Sequence, residues 1–274
     1  MQDKRVAILG GGNMGEAIAK GIRDSRGVLT ILPGQIVIAE PDQSRHERLS
    51  AGRHCVAVST AREAIAQLAP DGLVFVAVKP QVFPSVADEV RGLIGRRLVI
   101  SIMAGKTAAG VHRDLGSQCR IVRAMPNLPL LEGDGMTAVC AGPGALSEDI
   151  GLARAFFASM GQCIDLDESL MDAFTGVAGS GPAYVAYLAE AMVAGAVATG
   201  FTPEVAWQVV QQTIWGAARI LSDLRGPPSE LRARVTSKGG TTAAAVQVLD
   251  SAGVLDAFSR AIVAARDRGR ELSA

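Results

Sequence analysis

Two short stretches hold the residue types that small-molecule chemistry needs. Near the N-terminus, VAILGGGNMGEAIAKGI places Gly10, Gly12 and Gly15 in G-x-G-x-x-G spacing, after an apolar run and before a helix-like segment. In such a turn the first glycine makes a tight bend, the second admits a pyrophosphate against the backbone, and the third lets helix and strand pack closely. The N–H groups and partial positive charge at that helix start face the phosphates. Towards the C-terminus, TSKGGTT (236–242) cuts two helix-like segments with hydroxyls, paired glycines and one lysine, Lys238. Gly239 and Gly240 allow the backbone to turn its N–H groups inward, and Thr241 and Thr242 open the next helix, where an anion is favoured. Capping by one threonine explains one hydroxyl, but not Ser237, the glycine pair and the second threonine.

Other positions are read from their place at strand ends. Glu40 closes the second apolar run, where an acid binds adenosine ribose hydroxyls and repels a 2′-phosphate; Arg45, at the following helix start, is suited to hold that phosphate instead. NADH and NADPH both stay open as cofactors. VAVKPQ (76–81) and SIMAG (101–105) end two further runs. Carboxyl ends of parallel strands face the ligand crevice, so Lys79 and the stiff Pro80 are expected on the nicotinamide side. His46, His54 and His112 lie outside every motif and are not read as catalytic. Cys55, Cys119, Cys140 and Cys163 form no C-x-x-C pair, so reduced thiols are expected and no metal site.

The elements that must position these residues follow from periodicity. Mostly apolar runs at 5–10, 36–40, 54–58, 73–78 and 98–102, separated by helix-like segments at 13–25, 42–51 and 61–69, predict parallel strands buried on both faces. Runs at 119–125 and 136–142 predict two more strands. Beyond about 163 the strand pattern stops, and helices are expected near 167–178, 183–199, 203–224 and 242–270, with a break at Gly253. The fold class is therefore α/β: a Rossmann-type parallel-sheet domain (1–163) followed by an all-α domain (164–274). Segment 183–199 has Glu190 as its only charge but is rich in alanine and glycine, which fits a buried oligomer interface better than a membrane span.

Totals narrow the partners. The 274 residues carry 27 basic and 27 acidic side chains, so no charge excess points to nucleic acid or an anionic membrane. Aromatics at 4% argue against a base-stacking surface. A small-molecule substrate is expected. The N-terminus lacks the pattern of a signal peptide, and a cytoplasmic location is expected.

Taken in order and spacing, LGGGNMGEAI, AVKPQ, SIMAG, RAMPNLP, GSGPAYV and VTSKGGTTAAAVQVLD make the chain similar to pyrroline-5-carboxylate reductase over almost its whole length. The resemblance implies NAD(P)H-dependent reduction of 1-pyrroline-5-carboxylate to L-proline, the last step of proline biosynthesis. It implies a cofactor held by Gly10, Gly12, Asn13, Met14, Gly15, the Val78–Lys79–Pro80 turn and Ala104, and a homodimer formed through the helical domain, which in members of this family often assembles further into rings of dimers. The substrate carboxylate would be cradled by Ser237, Gly239, Gly240, Thr241 and Thr242. Thr242 is the candidate catalytic residue, hydrogen-bonding the ring nitrogen or carboxylate, and Glu168 is a candidate at the pocket rim. Three positions depart from the family pattern: Leu128 for threonine, Lys238 for proline and Ala61 for asparagine. Other readings are a β-hydroxy-acid dehydrogenase, an imine reductase for another ring size, and a dinucleotide sensor without turnover. The first needs a lysine in the helical domain, and none occurs between Thr107 and Ser237.

Overall fold

Adjacent residues of a strand point to opposite faces, and in the first strand both faces are apolar. In the computed structural model, which describes residues 4–24, 29, 31–32, 34–51, 55–116 and 118–273, this yields a sheet covered on two sides. Val6 and Ile8 join one core cluster with Phe75, Ile100 and Phe156, while Ala7 and Leu9 join another with Val76, Phe83 and Ile121. Phe156 bridges on to Phe75 and Phe157, with ring centroids 5.2 and 5.1 Å away. His54, the expected start of the third strand, and Ser25, the expected end of the first helix, lie outside the described residues.

The strands are β1 (Lys4–Leu9), β2 (Ile36–Ala39), β3 (Cys55–Val58), β4 (Leu68–Val76), β5 (Leu98–Ser101), β6 (Arg120–Met125), β7 (Gly135–Ala141) and β8 (Gly161–Asp165). They form one sheet in the order β3-β2-β1-β4-β5-β6-β7-β8. All neighbours are parallel except β6 and β7. Helices α1 (Asn13–Asp24), α2 (His46–Ser50), α3 (Ala61–Ala66), α4 (Phe83–Val90), α5 (Ala108–Leu115) and α6 (Ser147–Ala158) supply the crossovers and covers.

Two local differences from the sequence reading have physical causes. The helix expected over 61–69 stops at Ala66, because Pro70 cannot continue it and Leu68 instead pairs with Lys4 at the start of β4. The sheet also has an eighth strand, β8, beyond the last run that its pattern predicts. Its sequence GQCID is half-polar and mostly open to solvent, as suits an edge.

The first compact unit comprises residues up to 180 together with those from 265; Gly181–Ala264 form the second. This division falls later than the boundary expected at 163, and the chain returns to the first unit at its end. A helical run lies beyond the expected boundary and crosses the observed one: a 3-10 turn (Glu168–Leu170), α7 (Met171–Phe174), a π-helical turn (Thr175–Gly179), then α8 (Gly181–Ala198). The second unit contains α8, α9 (Pro203–Asp223), α10 (Pro228–Arg234), α11 (Thr241–Ser251) and the start of α12 (Val254–Ser273). Glu168–Ala198 is long and apolar enough to cross a membrane by length and composition alone, yet Ala189 is the only residue of α8 that its own chain buries. Tyr187, Trp207 and Trp215 are more than half exposed, and a groove of about 600 Å³ between α8 and α9 is lined by Pro182, Val185, Ala189, Trp207 and Trp215.

Candidate active site

The glycine turn is built as its spacing demands. Gly10 has φ +108°, and a Cβ there would stand 2.8 Å from the Ala77 carbonyl oxygen, so only glycine fits between β1 and β4. Gly15, in the first turn of α1, lies so close to the Gly10 carbonyl that a methyl would collide with it. Gly12 is different: a Cβ there would meet nothing within 4 Å. It precedes a twelve-residue helix, its carbonyl accepting from Glu16 N (2.9 Å), and leaves open space at a helix start where an anion such as pyrophosphate is favoured. Asn13 is exposed and Met14 half-buried at the same helix start.

Hydrogen bonds hold the neighbouring strand ends in line: Gly10 N donates to Ala39 O (3.0 Å), Ala77 N to Leu9 O (2.8 Å) and Ile102 N to Val76 O (3.1 Å). A cleft of about 220 Å³ opens beside this turn, lined among others by Gly10, Pro41, Thr60, Ala61, Val78 and Glu89. Thr60 caps α3 in a reciprocal box with Glu63, and Ala61 N donates to Glu89 Oε2 (3.0 Å). No motif signals Thr60 or Glu89 in the sequence; the topology brings them to the cleft. Beyond it, Val78 and Pro80 are half-buried, Lys79 is exposed, and Ala104 sits half-buried in the turn after β5.

Glu40 follows β2 and is buried, with its backbone N donating to Val58 O (2.9 Å). Its carboxylate accepts from Asp42 N (3.1 Å) and from Arg45 Nη1 (3.3 Å), while Arg45 Nη2 donates to the Gly11 carbonyl (2.7 Å). His46 Nε2 donates to the Glu40 carbonyl (2.6 Å), a structural bond in the same turn.

In the second unit, Ser237–Thr242 form a compact bend between α10 and α11. Gly240 N donates to Ser237 O (3.1 Å), and Gly239 takes φ +72°. A side chain at Gly240 would strike Ser237 Oγ. Gly240, not a threonine, is the N-cap of α11, and no side chain caps it. Among the described residues, the hydroxyls of Ser237, Thr241 and Thr242 therefore make no hydrogen bond, which removes helix capping as their explanation. Thr242 is half-buried; Ser237, Lys238 and Thr241 are exposed.

Glu168 belongs to the first unit and is partly committed. Its Oε1 accepts from Ala108 N at the start of α5 (2.7 Å) and from Arg123 Nη1 (3.2 Å). Arg123 is buried on β6 and also reaches Asp172 Oδ1 (3.5 Å). Among the described residues its Nε finds no partner, like Ser101 Oγ, the side chain across the β5–β6 register. Sequence reasoning missed this network; a charge inside the apolar run CRIVRAM was its only signal. Burial pushes the Cys140 thiol up to about 11, with the Glu168 charge adding to it, and burial pushes Cys163 to about 11. Neither is an activated nucleophile.

Comparison with known proteins bears on both units. A family profile described as pyrroline-5-carboxylate reductase dimerisation matches residues 168–272, and one described as NADP oxidoreductase, coenzyme F420-dependent, matches 5–105. Pyrroline-5-carboxylate reductase of Synechocystis is 37% identical over 98% of both chains. Among solved structures, the Coxiella burnetii pyrroline-5-carboxylate reductase superposes with TM-score 0.85 at 31% identity, each chain wholly covered. The Plasmodium falciparum pyrroline carboxylate reductase with NADP bound gives TM-score 0.87 at 26% identity, again over the whole of both. A donor-rich helix start, a glycine turn built for a dinucleotide and full-length similarity converge, and the chain belongs to the pyrroline-5-carboxylate reductase family.

Proposed function

We propose that the protein reduces 1-pyrroline-5-carboxylate to L-proline with NAD(P)H, the last step of proline biosynthesis. The observation that carries the substrate half is the bend 237–242, where three hydroxyls without hydrogen-bond partners among the described residues stand at or before the start of an eleven-residue helix. A carboxylate is favoured there by the free N–H groups and the helix dipole. Ser237, Thr241 and the backbone at Gly239 and Gly240 bind and orient it. Thr242 is the catalytic candidate, its hydroxyl accepting from the protonated ring nitrogen or donating to the carboxylate. Glu168, with one oxygen taken by Arg123 and Ala108 N, is a rim group whose other oxygen has no hydrogen bond among the described residues.

Gly10, Gly12, Asn13, Met14 and Gly15 would hold the pyrophosphate, Glu40 the adenosine ribose, and Val78, Lys79, Pro80 and Ala104 the nicotinamide. When bound, a reduced nicotinamide would supply hydride for the imine carbon, and with a proton on nitrogen the C=N bond would become a secondary amine. The protein contributes orientation and electrostatics rather than a covalent step.

The active form is a homodimer through the C-terminal helices. The match to a dimerisation profile and the exposed apolar face of α8 and α9 support it. A cytoplasmic location fits four free cysteines, three of them buried. The test is cofactor oxidation, followed by absorbance, on adding pyrroline-5-carboxylate to the purified protein. Substrate-dependent oxidation of NADH or NADPH is expected; oxidation of neither contradicts the reading.

A further inference from the structure

In the turn after β2, the arginine suited to binding a phosphate and the serine beside it are both already engaged by acceptors of their own chain. Arg45 spans Glu40 Oε2 (3.3 Å) and the Gly11 carbonyl (2.7 Å). Ser44 gives both its hydroxyl (2.6 Å) and its backbone N–H (3.0 Å) to Asp42 Oδ1. The Glu40 side chain is only 10% exposed and touches the glycine turn: a Cβ on Gly11 would stand 2.9 Å from its Oε2. A carboxylate so placed needs partners, and Arg45 and Asp42 N supply them while each oxygen keeps a further lone pair. The adjoining cleft adds Glu89, and among the described residues no lysine or arginine lines it.

We propose that Glu40, held by Arg45, selects NADH over NADPH. Glu40 accepts the ribose hydroxyls, and the same charge repels a 2′-phosphate, which brings between one and two further negative charges at neutral pH. Arg45 is a positioning residue: it fixes the carboxylate and ties it to the glycine turn through the Gly11 carbonyl. The proposal rests on the dinucleotide half of the function proposed above, so binding is its test.

Calorimetric titration of the full-length protein with NADH and with NADPH, without any imine, reads the preference directly. NADH is expected to bind at least about tenfold more tightly, the scale of a single charge-assisted hydrogen bond. Glu40→Ser releases Arg45 and shifts the ratio towards NADPH by about tenfold or more. Adding Arg45→Ala to that variant cancels the NADPH gain. Glu40→Gln keeps the size but drops the charge, moves the ratio the same way, and serves if Glu40→Ser does not fold. Tighter binding of NADPH by the native protein, or an unchanged ratio in the folded Glu40 variants, overturns the proposal. Turnover with pyrroline-5-carboxylate is measured in parallel. NADH-selective binding without turnover counts against the proposed reaction and leaves the selector standing; turnover with NADPH preferred does the reverse.

Discussion

At Thr242 a hydroxyl with no hydrogen-bond partner among the described residues stands in the first turn of a helix, so under the proposed role its removal is expected to affect ligand more than fold. Thr242→Val keeps the shape and removes the donor. A hydrogen bond to a charged group contributes about 1.5–3 kcal/mol, so kcat/KM for the imine should fall by about ten- to a hundredfold while the melting temperature holds. Thr242→Ser should restore most of the activity; an unaffected Thr242→Val enzyme removes the assignment. At this scale the sequence is most legible where a motif dictates local geometry. Gly10, Gly12 and Gly15 each stand where their spacing places them. It is least legible where partners lie far apart along the chain, as with Arg123 and Glu168, whose pairing exists only because β6 and the 3-10 turn at Glu168–Leu170 meet. Arg45 suits a phosphate by its position in the sequence, and the structure instead pairs it with Glu40, the acid that competes with that role.

Between β1 and α1, two glycines have separable tasks, one facing protein and one facing open space. Gly15→Ala drives a methyl into the Gly10 carbonyl and should destabilise the protein by about 1–3 kcal/mol, read as a melting temperature several degrees lower. Gly12→Ala meets no atom of the described residues within 4 Å, so the melting temperature should stay within about a degree while dinucleotide binding weakens at least about tenfold. Equal thermal effects from the two changes, or unweakened binding in Gly12→Ala, contradict the division of roles. Buried strands are readable as apolar runs because both faces of the sheet are covered. The edge strand β8 is not, since GQCID pairs through its backbone and shows little apolar patterning. Helix α3 is shorter than its apolar spacing suggests, because that spacing continues into Leu68 and Ala69, residues that the β1 pairing claims for β4.

Across the whole molecule, an α/β unit for a dinucleotide is followed by a helical unit whose apolar surface its own chain leaves uncovered. Trp207 and Trp215 are half exposed on α9, and large exposed apolar patches mark association sites. Trp207→Glu places a charge in that face and should lower the mass in solution to that of one chain, read by light scattering, with turnover falling alongside. An unchanged oligomer would move the interface elsewhere. This surface is legible as a segment apolar on nearly all faces; which neighbour covers it is not, because one chain's sequence carries no record of its partner's position. The central claim, reduction of a cyclic imino acid by a nicotinamide bound in the first unit, is tested most directly by isotope transfer. NADH deuterated at the transferred position of the nicotinamide ring, incubated with the enzyme and pyrroline-5-carboxylate, should give proline carrying deuterium at the former imine carbon by mass spectrometry. Trying both faces of labelled NADH and NADPH and finding no labelled proline would contradict it.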